Sequence, residues 1–104
     1  MKIELLTSYT CPHCPQAAET IRRYCRQNAI EFVEINSSSK KGKRWSRKFN
    51  AMGTPSFVVF GSVRPVFKTG APSFKTLDEI VAIANGEKEM PAPWWKSLAE
   101  KLGL

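Results

Sequence analysis

The amino-acid sequence predicts an α/β domain on a four-stranded mixed sheet, with element order β-α-β-α-β-β-α. Three observations predict it. Apolar residues recur by turns with period two and with spacings of three and four from Met1 to about Gly86, the marks of alternating strands and helices. The first 35 residues accommodate one strand, one helix and a second strand, a βαβ unit whose strands run parallel with a right-handed crossover. Farther on, the apolar run Ser56–Phe60 is followed at once by a turn and another short strand, which adds an antiparallel hairpin. A chain of 104 residues, 42% hydrophobic and 24% charged, supports one small soluble domain with a modest core. Residues 1–86 are assigned to that domain and 87–104 to a C-terminal extension.

Each element has its own signal. Met1–Thr7 alternates in part and reads as a central strand. From Pro12 to about Asn28, the residues Ala17, Ala18, Ile21, Tyr24 and Cys25 form one apolar helical face, with Glu19, Arg22, Arg23, Arg26 and Gln27 elsewhere. Glu31–Ile35 alternates with period two, a second strand. Ser37, Ser38 and Ser39 offer N-caps for a helix to about Asn50. Its buried stripe is Trp45, Phe49 and Met52, and Gly42 weakens its first turn. Ser56–Phe60 suits a strand buried on both faces. Gly61-Ser62 reads as a two-residue hairpin turn into a return strand Val63–Lys68, which Pro65 confines to an edge. After Gly70-Ala71-Pro72, Ser73 or Thr76 caps a last helix, with Thr76-Leu77-Asp78-Glu79 in capping-box form. Leu77, Ile80, Val81 and Ala84 make its inner face, and Asn85-Gly86 ends it. A polar spacer and Pro91-Ala92-Pro93 then lead to a short amphipathic helix from about Trp94 to Leu102.

The chemistry concentrates in Cys11-Pro12-His13-Cys14. Two thiols at this spacing can close a small ring. Thiol–disulfide exchange needs one of them as a thiolate and the other within reach to resolve the mixed disulfide. The strand-to-helix junction puts Cys11 at or beside the helix N-cap, where the free N–H groups and the dipole favour a sulfur anion. Pro12 then falls at about the first helical position, where its missing N–H costs nothing. The competing reading of such a pair is half a zinc site. A structural zinc needs four ligands, and the other candidates are His13, inside the pair, and Cys25. Cys25 lies three helical turns beyond Cys14, roughly 16 Å along the axis, so no metal is assigned. Cys25 itself reads as a packed core thiol.

Charge adds a second feature. The net charge is +7, with four basic and four acidic side chains in residues 1–36, six and none in 37–48, and six and five in 49–104. The run Lys40, Lys41, Lys43, Arg44, Arg47 and Lys48 is a solvated helix face or a surface that steers an acidic protein partner. Nucleic acid is disfavoured, since no aromatic platform accompanies the run. No apolar stretch approaches a membrane span, no secretory signal opens the chain, and three cysteines do not make a disulfide scaffold. The expected setting is the reducing cytoplasm.

With these motifs in place, residues 1–86 resemble the thioredoxin/glutaredoxin superfamily. Cys11-Pro12-His13-Cys14 between the first strand and helix carries the match, with Gly53-Thr54-Pro55 directly before the third strand. The chain looks most like the small, glutaredoxin-sized thioredoxins of archaea. The resemblance implies the thioredoxin fold and a cis Thr54–Pro55 bond, and places Thr54, Pro55, Gly70 and Ala71 at the substrate-binding rim. It implies a redox-active Cys11–Cys14 disulfide and no bound cofactor. Cys11, on the loop side, attacks a protein disulfide, and Cys14, one turn in, resolves the intermediate; His13 and Pro12 tune the thiol pKa. Two departures stand out. Thioredoxins carry a buried Asp where this chain has Leu5. Glutaredoxins carry a Lys where it has Ser8, and a Gly-Gly-x-x-Asp-like turn where it has Gly70-Ala71-Pro72-Ser73. A thioredoxin reductase is therefore the expected electron donor and glutathione the alternative. The reading is a protein-disulfide reductase, an electron carrier. Set against it are a glutathione-coupled glutaredoxin and a non-enzymatic adaptor working through the basic helix and the Trp94-Trp95 tail.

Overall fold

The computed structural model describes residues 1–88. Its elements are β1 (Lys2–Thr7), α1 (Cys14–Gln27), β2 (Glu31–Asn36), α2 (Lys40–Phe49), β3 (Ser56–Phe60), β4 (Pro65–Thr69) and α3 (Phe74–Ala84). The expected element order holds. The helix expected over Trp94–Leu102 lies outside the described residues.

The strands form one mixed sheet in the order β2-β1-β3-β4. β1 and β2 are parallel, with Leu5 opposite Glu34. β3 runs antiparallel to both β1 and β4, with Leu5 opposite Phe57 and Phe60 opposite Pro65. Strand side chains alternate between faces, so each face collects its own core. On one face Ile3, Leu5, Phe57 and Val59 pack against Ile21, Tyr24 and Cys25 of α1 and Leu77, Ile80 and Ala84 of α3. The Tyr24 hydroxyl donates to Asp78 at 2.7 Å and joins the two helices. On the other face Leu6, Ile35 and Val58 meet Trp45 of α2, whose indole Nε1 donates to Glu4 at 3.0 Å. A buried Trp needs such a partner for its N–H.

Several boundaries differ from expectation, each for a local reason. α1 begins at Cys14, with His13 at the N-cap position, so Pro15 and not Pro12 occupies its first turn. Ser39 alone caps α2: its Oγ accepts from the Gly42 N–H at 2.9 Å. Gly42 is required there, because a Cβ would fall 2.8 Å from the Asn36 carbonyl carbon and run into the carbonyl oxygen. α2 ends at Phe49, where Asn50 turns left-handed at φ 52°, and Met52 leaves the stripe for solvent, 90% exposed. No two-residue hairpin joins β3 to β4. Residues 61–64 bridge them, because the Val63 and Arg64 N–H groups donate to the Ala84 carbonyl at the end of α3, and Gly61 is pressed against that same residue. Pro65 is the first residue of the edge strand β4, where its missing N–H is tolerated. Ser73, not Thr76, caps α3 and accepts from the Thr76 N–H at 3.2 Å. Ile83 is buried, while Val81 is only partly covered.

Candidate active site

β1 delivers the chain to the end of the sheet where the cysteines lie. A turn follows it: the Cys11 N–H donates to the Ser8 carbonyl at 3.2 Å, and the Cys14 N–H to the Cys11 carbonyl at 3.4 Å. This closes Cys11 and Cys14 into a disulfide, with Cα atoms 5.4 Å apart. Helix α1 starts on Cys14, so Cys14 and not Cys11 takes the position at the helix mouth. Cys14 is 3% exposed, while Cys11 is partly accessible. His13 is exposed and makes no side-chain capping bond, and Pro12 is exposed beside it.

The residues expected at the rim lie near one another in the fold. Thr54–Pro55 is cis. Leu6 pairs with Ser56, so Pro55 comes to the end of the sheet from which β1 leads into the dithiol. The Ser56 hydroxyl donates to the Gly53 carbonyl at 2.6 Å and ties that turn together. The Gly70 N–H donates to the Pro55 carbonyl at 2.8 Å, which brings exposed Gly70 and Ala71 beside buried Pro55. The basic run is a separate place. All six cations of α2 are exposed on the helix whose Trp45 packs under the opposite face of the sheet.

The cysteines open on a cleft of about 860 Å³ whose wall includes Thr7, Glu19, Arg22 and Glu34. Sequence reasoning missed these residues. Glu34 accepts from the Thr7 hydroxyl at 3.2 Å and from Arg22 at 3.4 Å. The period-two pattern of β2 held the only signal. Glu34 shares its face with Phe32, which packs on the α1 core, so it points toward α1 rather than away. Leu5, in the place of the family's Asp, is fully buried in that core, and Glu34 is its neighbour across the β1–β2 pair. Among the described residues no group of three or more His, Cys, Asp or Glu side chains could hold a metal ion. Nor, among them, is any helix long and apolar enough to cross a membrane.

The fold and the paired cysteines define a thiol–disulfide oxidoreductase, and comparison with known proteins agrees. A thioredoxin-domain family model matches residues 1–82. The chain is 32% identical over 83 residues to a thioredoxin of Methanocaldococcus jannaschii, covering 78% of this chain and 92% of that one. It is 31% identical over 85 residues to a probable thioredoxin of Methanothermobacter thermautotrophicus, with coverage of 78% and 92%. Among solved structures, thioredoxin 1 of Thermosipho africanus superposes with a TM-score of 0.62 at 16% identity, over 82% of this chain and 99% of that one. Fasciola hepatica thioredoxin gives 0.64 at 17% identity, over 81% and 80%. The chain belongs to the thioredoxin family.

Proposed function

We propose that the protein is a protein-disulfide reductase in which Cys11 attacks and Cys14 resolves. The Cys11 thiolate displaces one sulfur of a target disulfide, forming a Cys11–target mixed disulfide and releasing the other target sulfur as a thiolate, which takes a proton from water. Cys14, deprotonated, then attacks the Cys11 sulfur. The Cys11–Cys14 bond forms, the second target sulfur leaves, and two electrons have passed to the target. The observation that carries the reading is the difference in access, with Cys11 partly exposed and Cys14 buried at the start of α1. When charged, His13 would favour the Cys11 thiolate, and Pro12 shapes the turn between the two. Thr54, Pro55, Gly70 and Ala71 form the rim against which an extended target segment pairs, a sequence-tolerant mode of recognition.

A thioredoxin reductase is the donor we favour over glutathione, because Ser8 and Gly70-Ala71-Pro72-Ser73 lack the glutathione features of glutaredoxins. The cytoplasm is the setting that suits a reduced dithiol alongside a free buried Cys25.

Insulin disulfide reduction, driven by dithiothreitol, tests the assignment. Wild type is expected to accelerate it, and Cys11→Ser to fall to the uncatalysed rate. Cys14→Ser should accumulate a mixed disulfide visible by mass spectrometry. His13→Gly should shift the pH profile of Cys11 alkylation to higher pH. Equal rates for wild type and Cys11→Ser would favour the adaptor reading, with the basic helix carrying the function.

A further inference from the structure

A second hollow shares a wall residue with the dithiol cleft. Ser8 lines two adjoining hollows. One is the cleft shared with Tyr9, Cys11 and Cys14. The other, of about 280 Å³, is shared with Ser46, Met52, Gly53 and Thr54. A large apolar side chain belongs to each hollow, Tyr9 to the first and Met52 to the second, and both are 90% exposed. Other bulky groups among the described residues are covered: Tyr24 is 3% exposed, Trp45 6% and Phe57 1%. Among the described residues the other exposed large apolar side chains are Met1 and Val63. Both sit at the far end of the sheet, Met1 near Gly61 and Val63 against Gly86.

The backbone holds both side chains out. Tyr9 lies in the turn between β1 and Cys11. Met52 would continue the apolar stripe of α2, but Asn50 breaks the helix at φ 52° and the Ala51 N–H folds back to the Ser46 carbonyl. Met52 is thus carried into the loop that leads to Thr54–Pro55. Methionine adapts to varied shapes, and tyrosine offers a rigid amphipathic surface at low entropic cost. The two suit a site that must accept many sequences of one general kind.

We infer that Tyr9 and Met52 select the substrates of this protein. They favour polypeptide disulfides whose cysteine is flanked on both sides by apolar residues, in a segment lying extended from the Thr54 side across Cys11 to Tyr9. The occupant is a segment of a disulfide-bearing protein, because the two hollows meet at Ser8, whose carbonyl holds the Cys11 N–H. A small disulfide would reach one hollow and leave the other untouched. The inference rests on Cys11 being the attacking thiol.

The test uses the reduced full chain and two synthetic peptides of equal length, each with one cysteine in mixed disulfide with thionitrobenzoate. One peptide has Leu, Val and Phe around its cysteine; the other has Ser and Asn. Cys11 attacks the peptide sulfur, the protein–peptide disulfide forms, and thionitrobenzoate leaves as its coloured anion. Wild type is expected to react faster with the apolar peptide. Tyr9→Ser and Met52→Ser should each slow that reaction by about fivefold to tenfold. The polar peptide, and the free bis-thionitrobenzoate disulfide, should change by less than about twofold. Both residues are solvent-exposed, so an unchanged thermal midpoint is expected in each variant. Equal rates of wild type on the two peptides, or equal losses on both, would overturn the inference. So would a concentration-dependent dimer of wild type that the double variant abolishes, since a second copy would then be the occupant. Lack of reaction with the free disulfide would instead defeat the dithiol reading, and this inference with it.

Discussion

Cys25 shows how burial treats a thiol that the reaction does not use. It is 2% exposed inside the α1–α3 core, and desolvation raises its pKa from about 9.0 to about 11, so it stays protonated and unreactive where thiolates normally form. Tyr24 is pushed upward as well, first by burial and then by its bond to Asp78. Both groups keep a proton in the folded state that the unfolded chain gives up. Below pH 9 the Cys25 contribution is fully present; it is lost as pH climbs through the folded value near 11. Chemical denaturation of the reduced protein should therefore show stability falling between those values. Cys25→Ala should flatten that part of the curve, and an identical decline in the variant would exclude the mechanism. In the reduced protein, iodoacetamide at pH 8 should label Cys11 and spare Cys25.

Residue identity was legible where the chemistry is local. The four-residue dithiol motif and the Gly53-Thr54-Pro55 turn carry their own geometry. Glu34, Thr7 and Arg22 could not be read this way, because their meeting depends on the β1–β2 register and on the way α1 crosses it.

At the scale of elements, periodicity located all seven within the described chain and turn chemistry set their ends. Helix α2 makes the difference plain. Its amphipathic spacing reveals a helix with Trp45 inward, yet nothing in the spacing announces that Asn50 will adopt φ 52° and release Met52. Gly42 likewise looks like a weakness in the first turn, because glycine costs a helix about 1 kcal/mol relative to alanine. Its packing reverses that judgement. A methyl group at this position would meet the Asn36 carbonyl and the Ser37 Cα at 2.9 Å, and backbone cannot move aside as a flexible side chain can. Overpacking of this kind costs about 1–3 kcal/mol. Gly42→Ala should thus lower the unfolding free energy by up to about 2 kcal/mol, measurable by urea titration. A stabilised variant would mean that the β2–α2 junction yields more easily than its geometry implies. Ser39 supports the same junction from both sides, with its hydroxyl donating to the Asn36 carbonyl at 2.7 Å while accepting from Gly42.

The whole molecule is electrically lopsided. From Ile35 through Leu77 the chain holds nine basic side chains and no acid. Among the described residues the ion pairs are Lys2–Glu4 and Arg22–Glu34, and neither involves α2. Unpaired exposed cations of one sign attract an acidic surface over about 10 Å or less at moderate salt. We propose that an acidic protein partner, a reductase or a target, approaches along this face. Reduction of the Cys11–Cys14 bond by a thioredoxin reductase should then slow as salt is raised, through KM more than kcat. Lys43→Glu with Arg47→Glu should produce the same loss at low salt. Reduction by dithiothreitol, which needs no docking, should hold steady in both comparisons. A reductase rate indifferent to salt would leave the basic helix as a solvated face.

The place of β1 in the sheet has a bearing on how the protein comes into being. β1, synthesised before its sheet partners, becomes an interior strand, with a parallel neighbour about 29 residues downstream and an antiparallel one about 54 downstream. Contacts so distant along the chain are slow to form, because the intervening loop must first be closed. The nascent βαβ segment consequently waits with one hydrogen-bonding margin of β1 open, until Ser56–Phe60 arrives to zip it shut. For that interval the strand feeding the dithiol is open to capture by a foreign strand along that margin.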